Sequence, residues 1–210
     1  VASTLVNGVY SASLLFSNQT TQVVQARQFT LQVISELVQN GGFETGDFTG
    51  WTESGNTGST AFTTVTSNSS YVHSGSFGMQ TGPASSHVYL SQNLDTVPGR
   101  NYVVSCWLRN STGSTPAQFE AVWGGNTLLN LTNPAAFGWT NLVFIATANS
   151  SSTLLQFGFR DDPSYLGFDD VSVVPLPPTV LQSLSPSNNQ FGFTWNSVSG
   201  LRYQLQYKTN

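Results

Sequence analysis

Residues Leu90–Asn110 read LSQNLDTVPGRNYVVSCWLRN, and this stretch decides the fold class. The strand-like run Val88–Leu94 leads into it, Pro98-Gly99 supplies a turn, and the stronger run Tyr102–Arg109 follows. In an extended chain, successive side chains point to opposite faces. Tyr102, Val104, Cys106 and Leu108 therefore share one face, and Val103, Ser105, Trp107 and Arg109 share the other. The first set reads as core, and the second as the lining of an exposed concave face. Cys106, on the core face, is the single cysteine, so it reads as a small buried hydrophobe and forms no intramolecular disulfide.

Outward from this stretch the same pattern recurs. Short runs rich in Val, Thr, Phe, Tyr and Leu occur at Tyr10–Phe16, Gln28–Ile34, Ala117–Trp123, Thr140–Ala146, Thr153–Arg160, Phe168–Val174, Gln190–Trp195 and Tyr203–Tyr207. Gly, Asn, Ser and Pro separate them, and helical periodicity is nearly absent. Many short strands at this spacing predict an all-β sandwich or jelly roll.

Composition narrows the class. Only 16 of 210 residues are charged, six basic and ten acidic, and Lys208 is the one lysine. So few cations cannot neutralise many phosphates, which argues against nucleic-acid binding. No apolar run approaches 18 residues, so no transmembrane helix is expected. With 39% apolar residues and a net charge of −4, disorder is not expected either. Ser, Thr and Asn (28, 24 and 17 residues) make up about a third of the chain. A surface wetted by hydroxyls and amides predicts an extracellular or cell-surface protein. Without disulfides it needs a sizeable core, which 210 residues can supply. Five Asn-X-Ser/Thr sequons, at Asn18, Asn68, Asn110, Asn130 and Asn149, fit a secreted, loop-rich chain. Val1 opens the chain with no charged segment leading into an apolar one, so any signal peptide is expected to have been removed already.

Two boundaries divide the chain. One lies near Ser35–Gln39, before the turn at Asn40–Gly42, and the other is Val174-Pro175-Leu176-Pro177-Pro178. The expected organisation is therefore 1–35, 36–175 and 176–210. Neither end piece is large enough to close a sandwich alone.

The middle piece opens with NGGFETGDFTGW (Asn40–Trp51) and continues with HSGSFGM (His73–Met79), the Leu90–Asn110 stretch and Trp139. It closes with LQFGFRDDPSYLGFDDVSV (Leu155–Val173). In order and spacing these motifs resemble the carbohydrate-binding-module type of galactose-binding-like jelly roll, common in secreted bacterial glycosidases and surface proteins. The resemblance implies a structural calcium (Ca2+) site joining the start and end of the jelly roll. Glu44, Asp169 and Asp170 are the matching positions, and backbone carbonyls near 40–43 would complete the coordination. Strand alternation places Asp169 with Val171 and Val173, pointing inward. The alternative is that these carboxylates accept hydrogen bonds from loop N–H groups. Trp51 reads as a core plug.

Sugar recognition needs an aromatic platform and side chains that bond hydroxyls in pairs. The candidates are Trp107, Arg109, Glu120, Trp123, Gln156, Arg160 and Tyr165. Leu155, Phe157 and Phe159 read as buried, with Gln156 and Arg160 on the opposite face. The two arginines either bind hydroxyls or pair with Asp161, Asp162 or Glu120; the ion-pair reading is favoured. Asp161-Asp162 and Asp169-Asp170 are adjacent and diverge on a strand, so they do not form a paired-carboxylate hydrolytic site. No nucleophile elbow, zinc-protease motif or P-loop occurs, and His73 and His87 read as loop residues without acidic neighbours. A non-enzymatic protein is expected.

The C-terminal piece, with Trp195, Gly200 and Tyr203–Tyr207, resembles the first strands of a fibronectin-III-like sandwich. The N-terminal piece resembles the last strands of an immunoglobulin-like surface domain. Unfinished sandwiches expose apolar grooves and strand edges. The first expectation is therefore a structural subunit of an extracellular filament, polymerising with copies of itself by head-to-tail strand complementation. The alternative is a carbohydrate-binding accessory module of a larger secreted protein, with polysaccharide as its partner.

Overall fold

A computed structural model describes residues 8–17, 20–21, 23–33, 35–58, 62–177, 181–187, 190–195, 197 and 202–204. The chain forms two compact units, Val1–Glu36 and Leu37–Asn210. In the first, β1 (Gly8–Ser17) and β2 (Val24–Val33) pair antiparallel in a two-stranded sheet. Leu14, Leu15, Phe16, Phe29 and Leu31 on this ribbon are exposed.

The second unit holds β3 (Thr52–Gly55), β4 (Thr63–Thr66), β5 (Gly78–Thr81), β6 (Val88–Asp95), β7 (Asn101–Asn110), β8 (Ala117–Trp123), β9 (Asn126–Thr132), β10 (Phe137–Thr147), β11 (Ser152–Asp161) and β12 (Leu166–Pro175). Two five-stranded sheets result, a front sheet β3-β6-β11-β8-β9 and a back sheet β10-β7-β12-β5-β4. β13 (Leu181–Ser187) and β14 (Gln190–Trp195) pair with each other. Of the strand expected over Tyr203–Tyr207, Tyr203 and Gln204 are not in a strand, and 205–207 lie outside the described residues. The all-β expectation holds: the described residues contain strands and turns, and no helix is long and apolar enough to cross a membrane.

The core lies between the two sheets and follows the strand alternation. Phe119, Ala121 and Trp123 of β8 and Leu155, Phe157 and Phe159 of β11 face Tyr102, Val104, Cys106 and Leu108 of β7 and Phe168 of β12. The Phe168 ring lies 4.9 Å from Phe157 and 5.0 Å from Phe159. Burying one such aromatic contributes about 1.5–3 kcal/mol relative to leaving it exposed. Cys106 is fully buried, and burial pushes its thiol well above the usual range. Trp51 does plug the core: it is 8% exposed, and its indole N–H donates to the Asn40 carbonyl at 3.1 Å.

Three expectations need correction. Trp123, read as a possible sugar platform, is 2% exposed; it ends the inward series of β8, and its indole N–H donates to the Thr147 carbonyl at 3.0 Å. Val103, read as part of an exposed face, is buried. Asp169 does not share a face with Val171 and Val173. The β12–β7 register pairs Phe168 with Leu108 and Asp169 with Trp107, then shifts before Ser172 pairs with Ser105. Asp170, with φ of 49°, sits in this irregularity, which resets the alternation. Asp169 therefore lies on the outer side with Trp107, buried beneath a loop.

Candidate functional site

The sequence-predicted ligand residues fall on two opposite faces. Trp107 and Arg109 lie on the outer side of the back sheet, where the loop 68–77 closes over them. His73 stacks on Trp107 with ring centroids 3.7 Å apart and planes 17° from parallel. Trp139 stands edge-on to His73 at 5.4 Å. The Arg109 guanidinium donates to the Ser70 carbonyl. Trp107 is thus covered by the protein's own histidine. His73, read as a loop residue without an acidic neighbour, pairs through Nδ1 with Asp170 at 2.6 Å. That partner is 97 residues away, so local sequence could not reveal it.

The same loop occupies the expected calcium ligands. Glu44 accepts from the backbone N–H of Ser76 at 2.9 Å and of Phe77 at 3.1 Å. Asp169 accepts from the N–H groups of His73, Ser74 and its neighbour Asp170. Asp170 accepts from the Ser74 hydroxyl at 2.8 Å and pairs with His73. All six carboxylate oxygens thus have protein partners. Among the described residues no group of three or more His, Cys, Asp or Glu is arranged to hold a metal ion. These contacts are those of the alternative reading, carboxylates that accept hydrogen bonds from loop N–H groups. Burial, opposed by those N–H donors and reinforced by Asp170, still raises the Asp169 carboxyl to about 6.

At the end of the sandwich, Tyr165 packs on Phe62 at 4.9 Å and edge-on to Tyr71 at 6.5 Å. Asp161 is fully buried nearby, and neither of its carboxylate oxygens has a hydrogen-bond partner. Burial first, and then the charge of Asp162, raise its pKa to about 6. Burial also raises the Tyr71 hydroxyl, against the pull of Arg109.

Glu120, Gln156 and Arg160 lie on the outer side of the front sheet. Here the registers build rows across the strands. Tyr89, Gly158 and Glu120 oppose one another in sequence, with Asn130 beyond Glu120. Ser91, Gln156 and Val122 form the row on one side, and Arg160 and Gln118 lie in the row on the other. A Cβ on Gly158 would come within 2.9 Å of the Tyr89 ring, and one on Gly55 would meet the opposite edge of the ring at the same distance. Two glycines therefore make the slot that holds a partly exposed tyrosine on this face. Amide and carboxylate groups surround it. Gln118 donates to Asn130 at 3.1 Å, and the Thr127 hydroxyl donates to Glu120 at 3.4 Å.

The favoured ion pairs of Arg109 and Arg160 with Asp161, Asp162 or Glu120 are absent among the described residues. Sequence reasoning missed Tyr89, His87, Gln118 and Asn130. The available signal was Gly158, which breaks the residue pattern between Phe157 and Phe159 and marks close approach of a ring from the next strand.

Residues 35–156 match the family model described as Carbohydrate binding domain. Comparison with curated protein sequences gave no match. Among solved structures, TmCBM61 in complex with beta-1,4-galactotriose has a TM-score of 0.55 at 21% identity, over 68% of this chain and 99% of that one. The CBM22-1-GH10 modules of Clostridium thermocellum xylanase 10B, complexed with xylohexaose, give 0.50 at 19%, over 72% of this chain and 30% of that one. The K3 cleaved adhesin domain of Lys-gingipain from Porphyromonas gingivalis gives 0.50 at 18%, over 68% and 99%. These likenesses support the jelly-roll fold, and the immunoglobulin-like and fibronectin-III-like resemblances of the flanks gain no support from them. The expectation of a self-polymerising filament subunit is overturned. The match is to a binding module, which is the alternative reading. With more than half its length matched by the family model, the chain belongs to the carbohydrate binding domain family.

Proposed function

We propose that the outer face of the front sheet binds a carbohydrate chain without chemical turnover. One observation carries this reading. A partly exposed tyrosine, Tyr89, is held in a glycine slot on a face whose same row carries Glu120 and Asn130 and whose neighbouring rows carry Gln156, Arg160 and Gln118. An aromatic ring covers the C–H face of a sugar, while carboxylate, amide and guanidinium groups bond its hydroxyls. Four adjacent strands, β6, β11, β8 and β9, span about 14 Å at the usual strand spacing, long enough for a short oligosaccharide. The oligosaccharides held by TmCBM61 and by the xylanase 10B modules support the reading. A module of this kind works outside the cell, attached to or near the polysaccharide it grips, and the hydroxyl-rich, charge-poor composition fits that setting.

A glycan array followed by affinity electrophoresis tests the proposal. Tyr89→Ala should weaken binding at least tenfold while leaving the melting temperature within a few degrees. Undiminished binding by Tyr89→Ala would move the site elsewhere.

A further inference from the structure

Two polar atoms on the front face are buried and have no hydrogen-bond partner, His87 Nε2 and Arg160 Nε. The β11–β6 register ends with Gly158 opposite Tyr89 and Phe159 opposite Val88; Arg160 follows Phe159 on β11 and His87 precedes Val88, so both flank the last pair of the ladder. Both lie on the Tyr89 side of the sheet, and the His87 and Tyr89 rings are 5.8 Å apart and 24° from parallel. Buried polar groups are nearly always satisfied, so two exceptions flanking one strand pair mark a place built for something else.

The charge says what that something is. Arg160 is one of six basic residues in the chain, and it makes no ion pair among the described residues. Glu120 lies one row away and accepts from Thr127 on β9, and Asp162, two residues after Arg160, makes no ion pair with it. Gln118, opposite Arg160, is already engaged with Asn130. A guanidinium always carries its charge and matches the geometry of a carboxylate. A neutral hydroxyl would satisfy one N–H and leave the charge uncompensated. We infer that the end of the ladder flanked by Arg160 and His87 receives the carboxylate of a uronic acid unit whose ring packs beside Tyr89, making the ligand an acidic polysaccharide. This rests on the carbohydrate-binding reading and specifies its ligand class.

The test compares trigalacturonate with galactotriose by calorimetry at low and high salt. The uronate should bind at least tenfold tighter at low salt, and the preference should shrink as salt screens the pair. Arg160→Gln should reduce the ratio of the two affinities at least tenfold. Arg160→Lys, which keeps the charge but not the fork, should reduce it less, and it serves if the glutamine variant fails to fold. Equal or tighter binding of galactotriose by the wild type, or an Arg160→Gln effect equal for both sugars, overturns the inference and leaves the carbohydrate-binding reading standing. Binding of neither sugar, nor of any glycan on the array, overturns both.

Discussion

Replacing Asp161 by asparagine should become progressively more favourable to stability as the pH rises from acidic to alkaline. The carboxylate is fully buried, and neither oxygen has a hydrogen-bond partner. Burial, then the neighbouring Asp162 charge, raises its pKa from 3.8 to about 6. A folded-state pKa above the unfolded one means that the folded state holds the proton more tightly. The carboxyl is then best tolerated below pH 3.8, and its penalty grows as the pH rises and is complete above about 6. A shift of roughly two units corresponds to at most about 3 kcal/mol, reduced by whatever water reaches the side chain. The amide keeps the shape and removes the ionisation, although its own unpartnered groups cost about 1–3 kcal/mol. In a chain of this size 1 kcal/mol moves the melting temperature by about 2–4 °C. Thermal melts from pH 4.5 to 8 should therefore show the variant gaining on the wild type by several degrees as pH rises. Asp169 titrates in the same window but is present in both proteins, so the difference between the curves isolates Asp161. Parallel curves across the range would refute the reasoning.

Other outcomes are expected. Trp123→Ala should cost about 3–5 kcal/mol in urea denaturation, since it empties the core between the sheets rather than a sugar platform. His73→Ala removes the ring over Trp107 and the partner of Asp170, and should cost about 1–2 kcal/mol and increase protease cleavage within 68–77. Because every oxygen of Glu44, Asp169 and Asp170 already has a protein partner, EDTA should leave the melting temperature unchanged; a rise of several degrees on adding calcium would show that backbone carbonyls complete a cation site. Of two sequons, Asn149 is exposed and Asn110 is fully buried, with Asn110 bonded to Pro134, Thr112 and Gly113. Secretion from a eukaryotic host should therefore leave Asn110 unglycosylated by mass spectrometry even where Asn149 is modified.

What the sequence determined by itself was everything that repeats every second residue. Tyr102, Val104, Cys106 and Leu108, and Leu155, Phe157 and Phe159, face the core because a strand alternates and these residues avoid water. The all-β class follows from the same local rules, and the jelly-roll reading from the resemblance of the motifs at Asn40–Trp51 and Leu155–Val173 to a known family. Local rules failed where a residue's surroundings come from distant strands. Alternation could not locate the irregularity at Asp170, so it put Asp169 on the wrong face. It could not tell that Trp123 closes the core, whereas Trp107 meets a histidine from a loop 34 residues earlier in the chain. Nor could it separate Trp107 and Arg109 on one sheet from Glu120, Gln156 and Arg160 on the other. Strand order and register belong to the tertiary structure, because hydrogen-bonded neighbours in a sheet need not be neighbours in sequence. Only that order brings Tyr89, Gly158 and Glu120 into one row and sets the strand carrying Arg160 against the one that His87 precedes.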